Sequence, residues 1–239
     1  MNMQTALHVL YPPRCLSCGV VVDSDFGLCS ACWRETPFIE GLCCDTCGVP
    51  LPGQSDIAVQ CDTCLALARP WDQGRAALEY RDIGRKLVLG LKHGDRHDIV
   101  RPAARWMARA ARPILRDGML IAPIPLHWLR LLKRKFNQSA LLANALAKET
   151  GLDCCPDLMQ RHRHTPVLDG KGLDQRFATL DAALSLHPRR RHRIAGRPVL
   201  IVDDVMTSGA TLAAAADICR AGGASHIAVL VLARVAKDG

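Results

Sequence analysis

The chain has 239 residues, 49% of them hydrophobic and 23% charged, the balance of a folded globular protein rather than a disordered one. No apolar run approaches the roughly 20 residues needed to span a bilayer, and MNMQTALHVLYPPRC lacks the basic start and apolar core of a secretory signal. Neither membrane insertion nor export is expected, and the chain is read as cytoplasmic. The formal charge of +8, from 24 Arg and 7 Lys against 23 acids, would suit a polyanionic partner. Eight thiolates holding two Zn²⁺ would lower that charge to about +4.

Nine of the twelve cysteines lie between Cys15 and Cys64. Eight form pairs spaced CxxC: Cys15 and Cys18, Cys29 and Cys32, Cys44 and Cys47, Cys61 and Cys64. A two-residue gap lets both thiolates of a knuckle face one tetrahedral metal. Four such pairs in series read as two four-cysteine zinc sites rather than redox motifs. Spacing leaves open whether the pairs combine sequentially or interleaved. With every ligand position filled by cysteine, the metal is expected to be structural. Cys43 is read as a spectator, and Cys154, Cys155 and Cys219 as ordinary reduced thiols. Composition changes at ARPWDQG (68–74), so residues 1–68 are expected to form a zinc-ribbon domain and 69–239 a second domain.

In the second part, RAALEYR (75–81) has the make-up of a short strand. IGRKLVLGLKH has helical spacing through Ile83, Leu87 and Leu91. Another helix is expected between Pro102 and Pro113. MLIAPIP (119–125) is a buried strand stopped by prolines, and NQSALLANALAKETG (137–151) an amphipathic helix with Gly151 past its end. PVLIVDD is a strand, GATLAAAADICRAGG a helix, and HIAVLVLAR (226–234) another strand. Continuous apolar strands alternating with helices predict an α/β fold, a parallel sheet covered by helices on both faces.

The chemistry concentrates in PVLIVDDVMTSGATL (198–212). Two acids, Asp203 and Asp204, end a buried strand, and a turn of small hydroxylic residues opens a helix. Ligands of open α/β sheets sit at the carboxyl ends of the strands. Unpaired N–H groups from Thr207 to Thr211, the helix dipole and three hydroxyls form a cradle for a phosphate, and Gly209 lets the backbone approach closely. Carboxylates beside a phosphate suit ribose hydroxyls, held directly or through Mg²⁺. A phosphorylated sugar is the expected ligand. At a second strand end, Arg130, Lys133, Arg134 and Lys135 follow APIPLHWL, where cations would hold a pyrophosphate. A solvated basic helix face explains any single one of them equally well, and Asn137 fits an N-cap as well as a ligand.

VLIVDDVMTSGATL closely resembles the signature of type I phosphoribosyltransferases. That resemblance implies that Thr207, Ser208, Gly209, Ala210 and Thr211 bind the 5-phosphate of phosphoribosyl pyrophosphate (PRPP), and that Asp203 and Asp204 hold its ribose. Purine-salvage members often carry a carboxylate where Thr207 stands, so purine salvage is not expected.

The whole chain resembles the competence protein F family, through YPPRCLSCG (11–19), CSACW (29–33), CDTCGVPLP (44–52), LKHGD (91–95), PIPLH (123–127), KRKFNQ (133–138) and the PRPP-type loop in order. There are departures. The family usually has Arg-Gly-Phe-Asn-Gln where this chain has Arg134, Lys135, Phe136, Asn137 and Gln138. Of a downstream T-x-x-Q-x-x-L followed by an arginine, Thr165 and Arg176 fit, whereas Leu168 and Lys171 do not. The resemblance implies a role in natural transformation with other DNA-uptake proteins, and leaves the phosphoribosyl acceptor, and catalysis itself, open. HPRRRHRIAGR (187–197), Arg161, Arg163 and the basic cluster at 130–135 would suit a single-stranded DNA backbone, as the Arg run would a solvated loop.

Overall fold

The computed structural model describes residues 12–23, 27–93, 96–162 and 183–236, with the side chains of Arg130 and Lys133 outside that set. The expectations placed on Arg163, Thr165, Leu168, Lys171, Arg176 and the last two residues of LKHGD lie outside the described residues.

The cysteine-rich part carries two short helices, α1 (Ser30–Glu35) and α2 (Asp62–Ala66), whose N-cap residues are Cys29 and Cys61. Beyond it run β1 (Gln73–Glu79), α3 (Asp82–His93), α4 (Val100–Ala111), β2 (Leu120–Pro123), α5 (Trp128–Arg134), α6 (Gln138–Thr150) and β3 (Asp153–Cys154). β4 (Met159–Arg161), β5 (Leu184–Leu186), β6 (Pro198–Met206), α7 (Ala210–Ala221) and β7 (His226–Arg234) complete it. Five strands form a parallel sheet in the order β1-β7-β6-β2-β3, and β4 and β5 pair as a separate antiparallel hairpin.

The central strands are apolar throughout because both their faces are covered. All nine residues of β7 are buried. Side chains alternate across a strand, so Leu200 and Val202 of β6 join Leu230 and Leu232 of β7 in a core with Leu87, Met107 and Leu142 from α3, α4 and α6. Val199, Ile201, Val229 and Val231 point the other way, toward Leu212, Ala215 and Cys219 of α7. A leucine truncated to alanine in either core would cost about 2–5 kcal/mol.

Two boundaries differ from expectation. α4 begins at Val100, ahead of Pro102, because a proline in the first helical turn has no hydrogen bond to lose. β6 runs on past its two acids to Met206, still paired with β7 through Asp203↔Val231 and Met206↔Arg234. The neighbour on the other side, β2, stops at Pro123 opposite Val202. Beyond Val202, β6 therefore has an open edge, and both acids lie along it.

The ribbons flank the sheet. Cys15, Leu16 and Cys32 pack into the α3 and α4 core, and Cys44, Cys47 and Cys64 into the α7 core. The segment between them lies antiparallel along the outer edge of β1, with Ile39 N–H donating to Ala77 O (3.0 Å) and Glu79 N–H to Pro37 O (2.9 Å). That covers an edge otherwise open to pairing with another chain.

Candidate functional site

β2 and β6 are neighbours whose chains leave in opposite directions, β2 toward α6 and β3, β6 toward α7 and β7. Such a switch point opens a crevice at the carboxyl ends of the strands. Asp203, Asp204 and the turn after them line it.

Asp203 Oδ1 accepts from Ser139 Oγ (2.7 Å) and from the Asp204 N–H (2.9 Å). Ser139 is placed by the start of α6, where Asn137 is the N-cap. Its Oδ1 accepts from the N–H groups of Ser139 (3.0 Å) and Ala140 (3.4 Å), while its Nδ2 donates to Ile124 O (3.0 Å). Asp204 Oδ2 lies 3.3 Å from Lys92 Nζ, which comes from the last turn of α3. The Asp203 carboxyl is pushed up to about 7, first by removal from water and then by the charge of Asp204, against Ser139, the Asp204 N–H and Lys92.

The turn is built to show its amides. Among the described residues no main-chain carbonyl takes the N–H of Thr207, Ser208, Gly209 or Thr211. Gly209 sits at φ 82° as the N-cap of α7, where a side chain would be strained. The carbonyls of the same turn are held from beneath: Arg234 Nη1 donates to Met206 O (3.1 Å) and Thr207 O (2.7 Å), and Arg69 Nη1 to Ser208 O (2.9 Å). With the carbonyls turned inward, the amides face the crevice at the positive end of a twelve-residue helix.

The structure thus brings Asp203, Asp204 and the 207–211 turn together. Arg134 ends α5, and Lys135 is its left-handed cap at φ 65°. Both precede Ser139 by only a few residues, but among the described residues neither side chain bonds to the acids or the turn. Lys92, Ser139, Arg69 and Arg234 escaped the sequence reading. Lys92 lies inside LKHGD, which carries family resemblance but no chemical pattern of its own, and the other three carry no local pattern. The Arg run sits at the other end of the sheet, ahead of β6, a strand about 26 Å long. Three of its arginines face acids: Arg190 to Asp157 (2.9 Å), Arg197 to Asp153 (2.8 Å) and Arg193 to Asp153 (4.0 Å).

The cysteines combine sequentially. Sγ atoms of Cys15, Cys18, Cys29 and Cys32 all lie within 4.8 Å of one another, as do those of Cys44, Cys47, Cys61 and Cys64. Cys18 Sγ to Cys29 Sγ and Cys47 Sγ to Cys61 Sγ are each 3.7 Å, against an edge of about 3.8 Å for a tetrahedron of zinc–sulfur bonds. Both sites fit structural zinc. Burial opposes it, but main-chain N–H groups of Cys18, Cys29 and Ser17 draw the Cys15 thiol down to about 6, and hydrogen bonding from Cys47 draws Cys44 down to about 4. One thiol of each site is therefore already drawn toward the thiolate that a metal requires. Cys43 stands outside both clusters. Burial pushes Cys154 up to about 11 and Cys219 to about 12, which favours the protonated thiol.

Comparison with known proteins agrees with this geometry. The family model for a double zinc ribbon domain matches residues 6–71, and that for a phosphoribosyl transferase domain matches residues 137–238. Competence protein F of Haemophilus influenzae is 30% identical over 227 residues, covering 92% of this chain and 96% of that one. DNA utilization protein YhgH of Salmonella typhimurium is 30% identical over 229 residues, covering 93% and 97%. Among solved structures, the allosteric regulatory enzyme of purine biosynthesis aligns with 60% of this chain at 16% identity and a TM-score of 0.40, and the chain spans 30% of its length. Ribbons, transferase-type domain and near-complete alignment stand in one order along one chain, which belongs to the competence protein F family.

Proposed function

We propose that the chain binds PRPP, or a closely related sugar phosphate, and serves the handling of incoming DNA during natural transformation. The observation that supports this best is the pairing of two carboxylates, held by Ser139 and Lys92, with a turn whose carbonyls are tied down and in which, among the described residues, the N–H groups of Thr207, Ser208, Gly209 and Thr211 meet no main-chain carbonyl, while that of Ala210 donates to Ser208 Oγ (3.4 Å). The 5-phosphate would rest on the N–H groups and hydroxyls of Thr207, Ser208, Gly209, Ala210 and Thr211. Asp203 and Asp204 would accept from the ribose hydroxyls or hold Mg²⁺, which would supply charge neutralisation when bound. Arg134 and Lys135 would approach the pyrophosphate from the end of α5.

The division at residues 1–68 and 69–239 belongs to the same proposal, supported by separate family matches to the two parts. So does a cytoplasmic location; no helix among the described residues is long and apolar enough to cross a membrane. Contact with single-stranded DNA and with other uptake proteins belongs to the same proposal; the names of the relatives, competence protein F and DNA utilization protein YhgH, support a role connected with DNA. With three of the run's arginines already facing acids, DNA contact there would rest on Arg189 and Arg191.

A second possibility is catalysis, transfer of the phosphoribosyl group to an unidentified acceptor, favoured by the match to a phosphoribosyl transferase domain. Titration calorimetry with PRPP and Mg²⁺ tests the binding claim: saturable heat is expected, and its absence overturns the proposal. Pyrophosphate release across a panel of acceptors tests catalysis, and silence with PRPP demonstrably bound removes the transferase alone.

A further inference from the structure

Three contacts run from the second cysteine cluster to three consecutive residues of the phosphate turn. Arg234, buried at the end of β7, donates through Nη1 to Thr207 O and lies with Nη2 3.9 Å from Cys47 Sγ. Arg69, five residues beyond Cys64, donates through Nη1 to Ser208 O. Trp71 donates through Nε1 to Thr46 O, inside the Cys44–Cys47 knuckle, at 2.6 Å. Its ring edge lies 3.0 Å from where a Cβ on Gly209 would stand. Arg69 also stacks on Trp71, 5.4 Å from the ring centroid.

Arg234 therefore has a cysteine ligand on one side and a turn carbonyl on the other, while Arg69 joins a turn carbonyl to the Trp71 ring that is itself bonded to the knuckle at Thr46. A tetrathiolate zinc centre carries a net charge of about −2, and two guanidinium groups are the counter-charge that lets it lie buried. The remaining N–H groups of those guanidiniums hold the Thr207 and Ser208 carbonyls inward. A peptide whose C=O is fixed inward presents the following N–H outward, and the two N–H groups so aimed are those of Ser208 and Gly209. Both arginines carry a buried Nε without a partner, a cost accepted for the bridging pose.

We infer that Arg69 and Arg234 are positioning residues through which the second tetrathiolate centre, and not the first, sets the phosphate-binding turn. This rests on the sugar-phosphate proposal above for its ligand, but not for the coupling itself. Without the centre, Arg234 loses its sulfur partner and Arg69 the Trp71 ring seated on Thr46, and the turn loses its fixed carbonyls. The first centre makes no such contact among the described residues; it meets α3 through Lys86 Nζ on Ser17 O (2.6 Å) and the segment after α3 through Arg96 on Leu16 O (3.3 Å).

The test uses the full chain and the variants Arg69→Met, Arg69→Lys and Arg234→Lys, with Lys86→Met as the control at the first ribbon. Zinc content and thermal melting establish that each variant folds with both metals. Ribose 5-phosphate and PRPP are titrated by calorimetry, and hydrogen exchange is followed in peptides covering 206–214, where Ala213 N–H bonds Gly209 O. Loss of a charged hydrogen bond predicts about 10- to 100-fold weaker binding of ribose 5-phosphate by Arg69→Met, with part of it recovered in Arg69→Lys. Faster exchange in 206–214 is expected alongside, and a less than threefold effect of Lys86→Met. Arg234→Lys keeps the charge but not the double reach, and is expected to weaken binding as well. Unchanged exchange and affinity in Arg69→Met and Arg234→Lys overturn the coupling. Faster exchange in variants of a protein whose wild type binds neither ligand overturns the sugar-phosphate proposal and leaves the coupling standing.

Discussion

The two cysteine clusters share a motif and differ in what surrounds it. The first is laid on α3 and α4, where Cys15, Leu16 and Cys32 complete an apolar core and Trp33, Phe38 and Trp106 form an aromatic group with centroids 4.6 to 6.4 Å apart. Its path to the site runs through a helix, from Lys86 along two turns of α3 to Lys92 and Asp204. The second faces the phosphate turn directly, across Arg69, Trp71 and Arg234. Gly48, in its knuckle, lies so close to β1 that a Cβ would stand 2.8 Å from the backbone of Arg75 and Ala76. Identical ligand sets thus serve unlike ends. One supplies packing, and the other supplies packing together with an electrostatic brace.

The sharpest break of that comparison is to remove one ligand from each cluster. Cys47→Ala and Cys18→Ala are both expected to lower bound zinc from two to one per chain, measured by metal analysis. Cys47→Ala should also reduce PRPP affinity by more than about 100-fold, since a brace worth about 1.5–3 kcal/mol per charged bond acts at two positions. Cys18→Ala should lower the melting temperature while affinity at low temperature stays within about threefold. Equal losses in binding would show that the clusters do the same job. Next in size, Asp204→Asn is expected to weaken PRPP by about 30-fold, by replacing an ionic acceptor with a neutral one and leaving Lys92 unpaired. Asp204→Asn in a chain already lacking the second cluster should add little if the turn has collapsed.

A smaller effect separates the acid side from the turn side by pH. With its carboxyl held up to about 7, Asp203 keeps a proton in the folded chain over a range where the unfolded chain has lost it. This contribution to stability is present below the ordinary carboxylate range and is lost as pH rises through about 7. Binding has the opposite sign, because the ionised form is the better acceptor for ribose hydroxyls and Mg²⁺. Affinity for PRPP with Mg²⁺ is expected to rise several-fold between pH 6 and 8, and urea midpoints to fall over the same interval. Asp203→Asn should flatten both trends. Variants at Arg69 should weaken binding at every pH without changing its slope.

How much of this was legible follows from the range of each signal. CxxC spacing, the apolar runs of β6 and β7, and the small-residue turn are local, and each reported its own element. Asn137 as a cap and Gly151 as a stop were equally local. The acids were expected at the end of their strand, but β6 continues to Met206 because β7 still pairs with it, a fact about a neighbour and not about β6. The residues that escaped notice depend on partners far along the chain: Ser139 on Asp203, Lys92 on Asp204, Arg69 on Ser208, Arg234 on Thr207. A lone serine in a helix or an arginine after a ribbon has no periodicity, and only the fold shows what it touches. The Arg run showed its charge in the sequence but not its partners, since three of its members meet acids that composition alone could not place.

The smallest expected effect lies beside the site and tests whether local strain there serves binding. Lys135 caps α5 in the left-handed region at φ 65°, and its N–H donates to Leu131 O (2.7 Å). This is the position at which the family usually carries glycine, so the backbone shape that lysine put in doubt is kept, at the cost a side chain meets in that region. Lys135→Gly should relieve that strain and raise unfolding free energy by about 0.5–1 kcal/mol, read from urea denaturation. If the lysine earns its place through the pyrophosphate, the more stable variant will bind PRPP less tightly while ribose 5-phosphate, which lacks that group, is unaffected. If both ligands bind as before, the cation belongs to the solvated helix face, and the acids and the turn alone define the site.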